Sequence, residues 1–298
     1  HNGGMVLSRQ PLRHFSPVQT SANGVKMVQF DKEDVETLGL IKLDVLGLRM
    51  LAAISEATEL AARHHGCPVE IDHLPLNDPQ VYQFIRTGRT LGLFQIESMG
   101  QMHLVASHQP QVFEDLVSQV ALFRPGPLQG NMVHPFIRRR QGRERVRFDH
   151  PVLAPILRRT YGVILFQEQI LEIAHRFAGM SLQEADDFRS IISKSRCAGD
   201  MEAMRHRFVD GAIRQGVAPA VARRVFDQVS NFVGYGFCRS HAAAFARTVY
   251  QSAWLKHYYP DAYLAAVMQH RPGLYSQLTL EEEARRCGLE ILPPDINR

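Results

Sequence analysis

From Leu48 onward the chain reads as one helical segment after another, cut by proline and glycine, and this succession limits the fold more than any other feature. Leu48, Leu51, Ile54, Ala57 and Leu60 step by three and lay an apolar stripe along one helix face. The same reading predicts helices over roughly 48–65, 78–87, 111–122, 131–141, 151–158, 166–178, 181–196, 200–215, 218–232, 240–258, 261–270 and 277–287. Pro125 and Pro127 break the chain at 124–128, Pro272-Gly273 breaks it again, and Pro293-Pro294 ends it. Ahead of this region the pattern differs. Met5–Leu7 and Met27–Phe30 are strand-like, and Leu40–Leu46 alternates before Gly47. The expected fold is therefore mainly α with a short α/β N-terminal piece. The boundary falls near residue 50, giving segments 1–50 and 51–298.

With 298 residues, 45% of them apolar and 21% charged, the chain can bury a real core as one large or two moderate domains. No apolar run approaches the ~18 residues of a membrane span. The N-terminus lacks the basic start and apolar stretch of a signal peptide. It also lacks an initiator Met, so the chain is expected to be a piece of something longer. Cys67, Cys197, Cys238 and Cys287 lie far apart without zinc-like spacing, as expected of free thiols in a reducing cytoplasm.

The net charge of +4 is unevenly spread. Residues 138–147 carry six Arg against one Glu, including Arg138, Arg139, Arg140 and Arg143. Clustered Arg suits a phosphate-rich partner, and a solvated helix face is the plainer alternative.

Four stretches carry candidate chemistry. In Gly234-Tyr235-Gly236-Phe237-Cys238-Arg239-Ser240-His241, Ser240 is placed to cap a helix that runs to Pro260. A helix N-terminus favours anions, and Arg239 and His241 add donors at the same spot. An ordinary capped helix is the alternative. Arg124 precedes Pro125, which holds it extended on a stiff loop, either as a phosphate clamp or as a rigid linker. Lys42 and Asp44 face one side of a strand, as an ion pair or part of a metal site, although one carboxylate is too few for a metal site by itself. Arg189, Lys194 and Arg196 lie along a helix and its end, with Arg189 and Arg196 on one face. No Walker A loop, GxGxxG, GxSxG or HExxH motif is present.

Taken in order, IKLDVLGL (41–48), LGLFQIES (91–98), LVSQVALFRPGPL (116–128), TYGVILFQEQ (160–169), GYGFCRSHAAAFA (234–246) and LPPDIN (292–297) resemble the bacterial C-family DNA polymerases, the alpha subunit of DNA polymerase III and its error-prone relatives. The resemblance covers essentially the whole chain. It implies that residues 1–50 are the end of a polymerase palm and residues 51–298 helical fingers. It makes Asp44 the third catalytic, metal-holding carboxylate. The other two would come from an upstream Pro-Asp-x-Asp-x-Asp type motif that these residues do not contain. It further implies that Arg124, Arg189, Lys194, Arg239, Ser240 and His241 meet the triphosphate of an incoming dNTP. Tyr235 would pack near the nascent base pair. Primer–template DNA, dNTP and Mg²⁺ are then the implied partners and cofactor, with sliding-clamp and other polymerase or mutasome contacts outside this chain. Chemistry would be nucleotidyl transfer by two metal ions. With one of three carboxylates, the chain alone would be inactive.

Departures from the family pattern fall at Ser190, at Lys194-Ser195-Arg196 and at Cys238-Arg239. They weaken the transfer of Lys194 and leave Cys238 without a role. The short His270-Arg271-Pro272-Gly273-Leu274-Tyr275-Ser276 stretch is similar to the error-prone translesion branch rather than the replicative one. A non-catalytic nucleic-acid-binding module that keeps only the fingers is the alternative reading, and a helical scaffold with purely structural motifs is a third.

Overall fold

Short strands and a long run of helices are what the chain forms. The computed structural model describes residues 4–45, 47–66, 68–124, 132–194, 198–230 and 237–292, without the side chains of 192–200. The chain divides into two compact units, residues 1–49 and 50–298.

In the first unit, β1 (Gly4–Leu7) pairs antiparallel with β4 (Ile41–Asp44), with Gly4 opposite Asp44 and Leu7 opposite Ile41. β2 (Val18–Thr20) pairs antiparallel with β3 (Lys26–Val28) across a turn at Gly24, whose φ of 76° favours glycine. Between β3 and β4 lies α1 (Lys32–Thr37). Its capping box is reciprocal: the Asp34 amide donates to the Asp31 carboxylate at 2.9 Å, and the Asp31 amide to the Asp34 carboxylate at 3.2 Å. Strand alternation puts Lys42 and Asp44 on one face of β4 and Ile41 and Leu43 on the other. Only Ser16 and Val35 are buried among the unit's described residues, and Met5, Ile41 and Val45 are exposed.

The second unit holds α2 (Arg49–His65, assigned from Met50 on), α3 (Pro79–Arg86), α4 (Met99–His108), α5 (Phe113–Leu122), α6 (Val133–Arg140), α7 (Leu153–Leu157), α8 (Gln167–Arg176), α9 (Leu182–Lys194), α10 (Ala198–Arg214), α11 (Pro219–Ser230), α12 (Arg239–Tyr258), α13 (Pro260–His270) and α14 (Gln277–Arg286). No helix among the described residues is long and apolar enough to cross a membrane. The expected helix over 111–122 begins two residues later, and that over 240–258 one residue earlier.

Two apolar cores organise this unit. One joins α2, α3, α4, α5, α12, α13 and α14; the other joins α7 to α11 around Phe177, Phe188, Phe208 and Phe226. Phe188 and Phe208 stack with ring centroids 5.4 Å apart. The extended segment before α8 borders both: Val163 and Leu165 enter the first core and Ile164 the second, as strand alternation requires. In the second core Gly211 is obligatory, since a Cβ there would lie 2.1 Å from the Ala178 carbonyl oxygen.

Helix α12 is buried on most sides. Ala242, Ala246 and Ala253 are inaccessible and let it lie close to α5. Its buried polar side chains each meet a partner, as low-dielectric surroundings demand. The Tyr250 hydroxyl donates to the Pro75 carbonyl at 2.8 Å, and Gln251 Nε2 donates to the Ile71 carbonyl at 3.0 Å. Lys256 Nζ donates to the Leu91 carbonyl at 2.6 Å and to Glu283 Oε1 at 2.7 Å.

Helix α4 is absent from the sequence-based expectation. Its buried face carries Gln101 and His108 as well as Leu104 and Val105, so no clean apolar stripe marks it. Gly100 adds a helix-weakening residue that packing demands: a Cβ there would lie 2.2 Å from Phe123 Cζ. Gln119 Nε2 donates to Gln101 Oε1 at 2.7 Å, so its own Oε1 faces His108 Nδ1 at 2.8 Å. With the two amides in this orientation, the neutral ring donates from Nδ1. Nε2 is buried without a partner.

Burial, reinforced by the Arg140 charge, pulls the His108 pKa down from its usual value to about 4. A folded-state value below the unfolded one means that the unfolded chain takes up a proton first as pH falls. The associated stability is present above about pH 6.5 and is lost as pH falls toward 4. We expect wild type to lose on the order of 1–3 kcal/mol more than His108→Gln between pH 7 and pH 4, measured by urea unfolding. Parallel pH profiles for the two proteins would contradict this.

Candidate functional site

The junction of the two cores gathers most of the candidate phosphate-binding side chains. Gln169 organises its floor. Its Oε1 accepts from the amides of Leu165 and Phe166 at 2.8 and 3.0 Å, and its Nε2 donates to Thr160 Oγ1 at 2.9 Å. With the extended segment fixed, the Gln167 amide donates to the Phe237 carbonyl at 3.0 Å and the Phe237 amide to the Leu165 carbonyl at 3.3 Å. This short parallel bridge sets the N-termini of α8 and α12 side by side.

Helix α12 starts at Arg239 with Cys238 in the N-cap position, which corrects the expectation that Ser240 is the cap. Cys238 makes no side-chain capping bond. The Arg239 amide donates instead to both oxygens of Glu168, at 2.9 and 3.1 Å, across from the first turn of α8. A carboxylate thus occupies the positive end of the helix. Ser240 lies exposed in the first turn, 2.9 Å from the Cys238 sulfur. Cys238 and Cys287 are free thiols.

The cations surround this end. The Arg239 guanidinium donates to Glu114 at 2.8 Å. Arg124 stacks over the Phe237 ring at 4.1 Å, and partial burial lowers its pKa. Among the described residues Arg124 has no carboxylate partner. Phe237 meets the His241 ring edge-on at 5.3 Å, His241 approaches Phe245 at 4.2 Å, and Phe245 meets Phe94 at 5.1 Å. Arg189 pairs with Asp186 at 2.8 Å and reaches Gln167 Oε1 at 3.5 Å, next to Glu168 in sequence. Lys194 ends α9, but its side chain, Tyr235 and the residues 125–131 that follow Arg124 lie outside the described residues.

The basic run lies elsewhere, at the end of α6, and it is not a uniform solvent-facing row. Arg140 grips Asp115 with Nη1 and Nη2 at 2.6 and 2.7 Å. It also donates to the His108 and Gln109 carbonyls, and its side chain is only 12% exposed. Arg139 donates to Glu144 at 2.8 Å and to the Tyr161 carbonyl at 3.1 Å. Arg138 shares Glu144 at 3.1 Å, and Arg143 is exposed. Arg140 therefore locks α6 to α5 instead of facing an outside phosphate.

Asp44 belongs to the first unit, where its carboxylate contacts Lys42 on the same face of β4. Among the described residues no group of three or more His, Cys, Asp or Glu side chains is arranged to hold a metal ion. The described residues do not form a metal site by themselves.

Sequence reading named Arg124, Arg189, Arg239 and His241 but passed over Phe237, Glu114 and Glu168. Phe237 and Glu168 sit inside the quoted GYGFCRSH and TYGVILFQEQ blocks, so the signal was adjacent to residues already singled out.

Comparison with known proteins bears on this arrangement. Residues 50–216 match the bacterial DNA polymerase III alpha subunit finger domain, and residues 1–47 match the bacterial DNA polymerase III alpha NTPase domain. A protein named error-prone DNA polymerase from Symbiobacterium thermophilum is 46% identical over the whole chain, which covers 27% of that protein. Proteins of the same name from Anaeromyxobacter dehalogenans and Dechloromonas aromatica are 43% and 41% identical over 99% of the chain, covering 27% and 29% of their lengths. The chain thus spans under a third of the length of these curated relatives. With one domain model running across most of its helices and these relatives aligning end to end along it, the chain belongs to the bacterial DNA polymerase III alpha-subunit family.

Proposed function

We propose that this chain is the end of the palm and the fingers of an error-prone DNA-directed DNA polymerase, and that the junction of the two cores receives the triphosphate of the incoming dNTP. The observation that carries this reading is the convergence of Arg124, Arg189 and Arg239 on the paired N-termini of α8 and α12. Clustered guanidinium groups and helix N-terminal amides are two devices by which proteins bind phosphate. His241 steadies Phe237, the platform under Arg124. The relatives' shared name supports the translesion branch.

Primer–template DNA is the macromolecular partner in this reading, with exposed Arg143 and Arg138 available to its backbone. Contacts with a sliding clamp and other subunits fall to regions outside this chain, in the cytoplasm. Asp44 supplies one palm carboxylate. Mg²⁺ would need further carboxylates, since among the described residues no group of His, Cys, Asp or Glu that could hold a metal ion is found.

The test uses the full-length polymerase. Arg124→Ala and Arg239→Ala are each expected to raise KM for dNTP about ten- to a hundredfold, the worth of a hydrogen bond to a charged group. Unchanged KM in both variants would remove the triphosphate from this site.

A further inference from the structure

We infer that Glu168 and Glu114 are internal competitors of the triphosphate, holding the first amide of α12 and the Arg239 guanidinium until phosphate oxygens replace them. The inference rests on the triphosphate reading above.

Three features of the site lead to it. The first amide of α12 is satisfied by no local cap, since the Cys238 side chain makes no capping bond, but by a carboxylate reaching from another helix. That carboxylate shares the amide between both oxygens and so occupies the place an anion takes at a helix N-terminus. Glu114 engages the same residue's guanidinium through one bond at 2.8 Å, and both side chains of that pair are nearly half exposed.

Exposed pairs of this kind are weak and exchange readily. A phosphate and Glu168 carry the same charge and cannot share one amide. The incoming anion must therefore displace the carboxylates. Arg124, on its aromatic platform without a carboxylate partner among the described residues, is positioned to engage the anion first. The two glutamates then act as positioning residues. They keep α12 capped when the site is empty and set how tightly phosphate is held. Weak hold is useful at this point, because the same pocket must release pyrophosphate after each addition.

The experiment compares full-length polymerase variants by KM for dNTP and by inhibition with inorganic pyrophosphate. Glu168→Gln keeps an oxygen that can accept from the Arg239 amide but removes the charge. It is expected to lower both KM and the pyrophosphate inhibition constant about two- to fivefold, the worth of an exposed charge pair, without a matching rise in kcat. Glu114→Gln, which leaves the cap untouched, is expected to move both constants the same way. If Arg239→Ala raises KM while both Gln variants leave the two constants unchanged or raise them, the competitor role is overturned and the triphosphate site stands. If Arg124→Ala and Arg239→Ala also leave KM unchanged, the site reading falls and takes the competitor role with it.

Discussion

Lys256→Ala is expected to destabilise the protein by about 3–5 kcal/mol, the cost of stripping one partner from a buried ion pair. The Lys256 side chain is 1% exposed and that of Glu283 9%, with Nζ and Oε1 2.7 Å apart. Alanine removes the charge that offsets Glu283 and leaves the Leu91 carbonyl without its donor. It also opens a gap beside Phe84, over whose ring the ammonium lies at 5.8 Å. Most of the loss comes from the stranded carboxylate, so Lys256→Met with Glu283→Leu should recover the larger part of it. Urea unfolding followed by far-UV circular dichroism reads both variants. A single-variant loss below about 1 kcal/mol would show that water reaches Glu283 and that the pair behaves as a surface pair.

In the full-length polymerase, Asp44→Asn is expected to abolish primer extension while leaving primer–template affinity within about twofold. Asparagine matches aspartate in size, so β4 keeps its register opposite β1, with residue 44 still facing Gly4. What disappears is a negative charge at the end of the strand. In the proposed function the nucleic acid backbone is held by cations elsewhere, a steeply salt-dependent contact that Asn would not alter. Extension assays and fluorescence anisotropy on the same preparation separate the two effects. Extension retained at near wild-type rate would exclude Asp44 from the catalytic carboxylates.

The helices whose faces are apolar were legible from periodicity alone. In α2 the three-residue steps place the helix but only part of its buried face: Ile54 and Ala57 are buried, Leu48 and Leu51 are exposed, and Met50, Ala53 and Ala61 complete the inner side, although the helix itself was legible. Helix α4 was not, because its inner face is built from a Gln101–Gln119–His108 chain whose polarity erases the stripe. The strand β2 is three residues long, too short for alternation to register. At the site, sequence could find cations but not their counterions. Arg140 and Arg143 look alike in a basic run, yet one is held by Asp115 and two carbonyls from a distant helix end and the other faces solvent. Ser240 carried the better capping side chain, yet the cap position fell to Cys238, because the bridge between Phe166 and Phe237 sets where the helix can begin. Pairings across seventy or more residues, such as Arg239 with Glu168, leave no local trace.

The connection between α2 and α3 has little regular structure of its own. It hangs from one face of α12 through Tyr250 to Pro75, Gln251 to Ile71 and Arg247 to Asp72. For protein engineering this inverts the usual division between scaffold and loop. The specification of that loop is written on a helix more than 170 positions away. Grafting the loop alone into a relative would leave its three anchor points behind. A working chimera would have to carry those α12 side chains along with it.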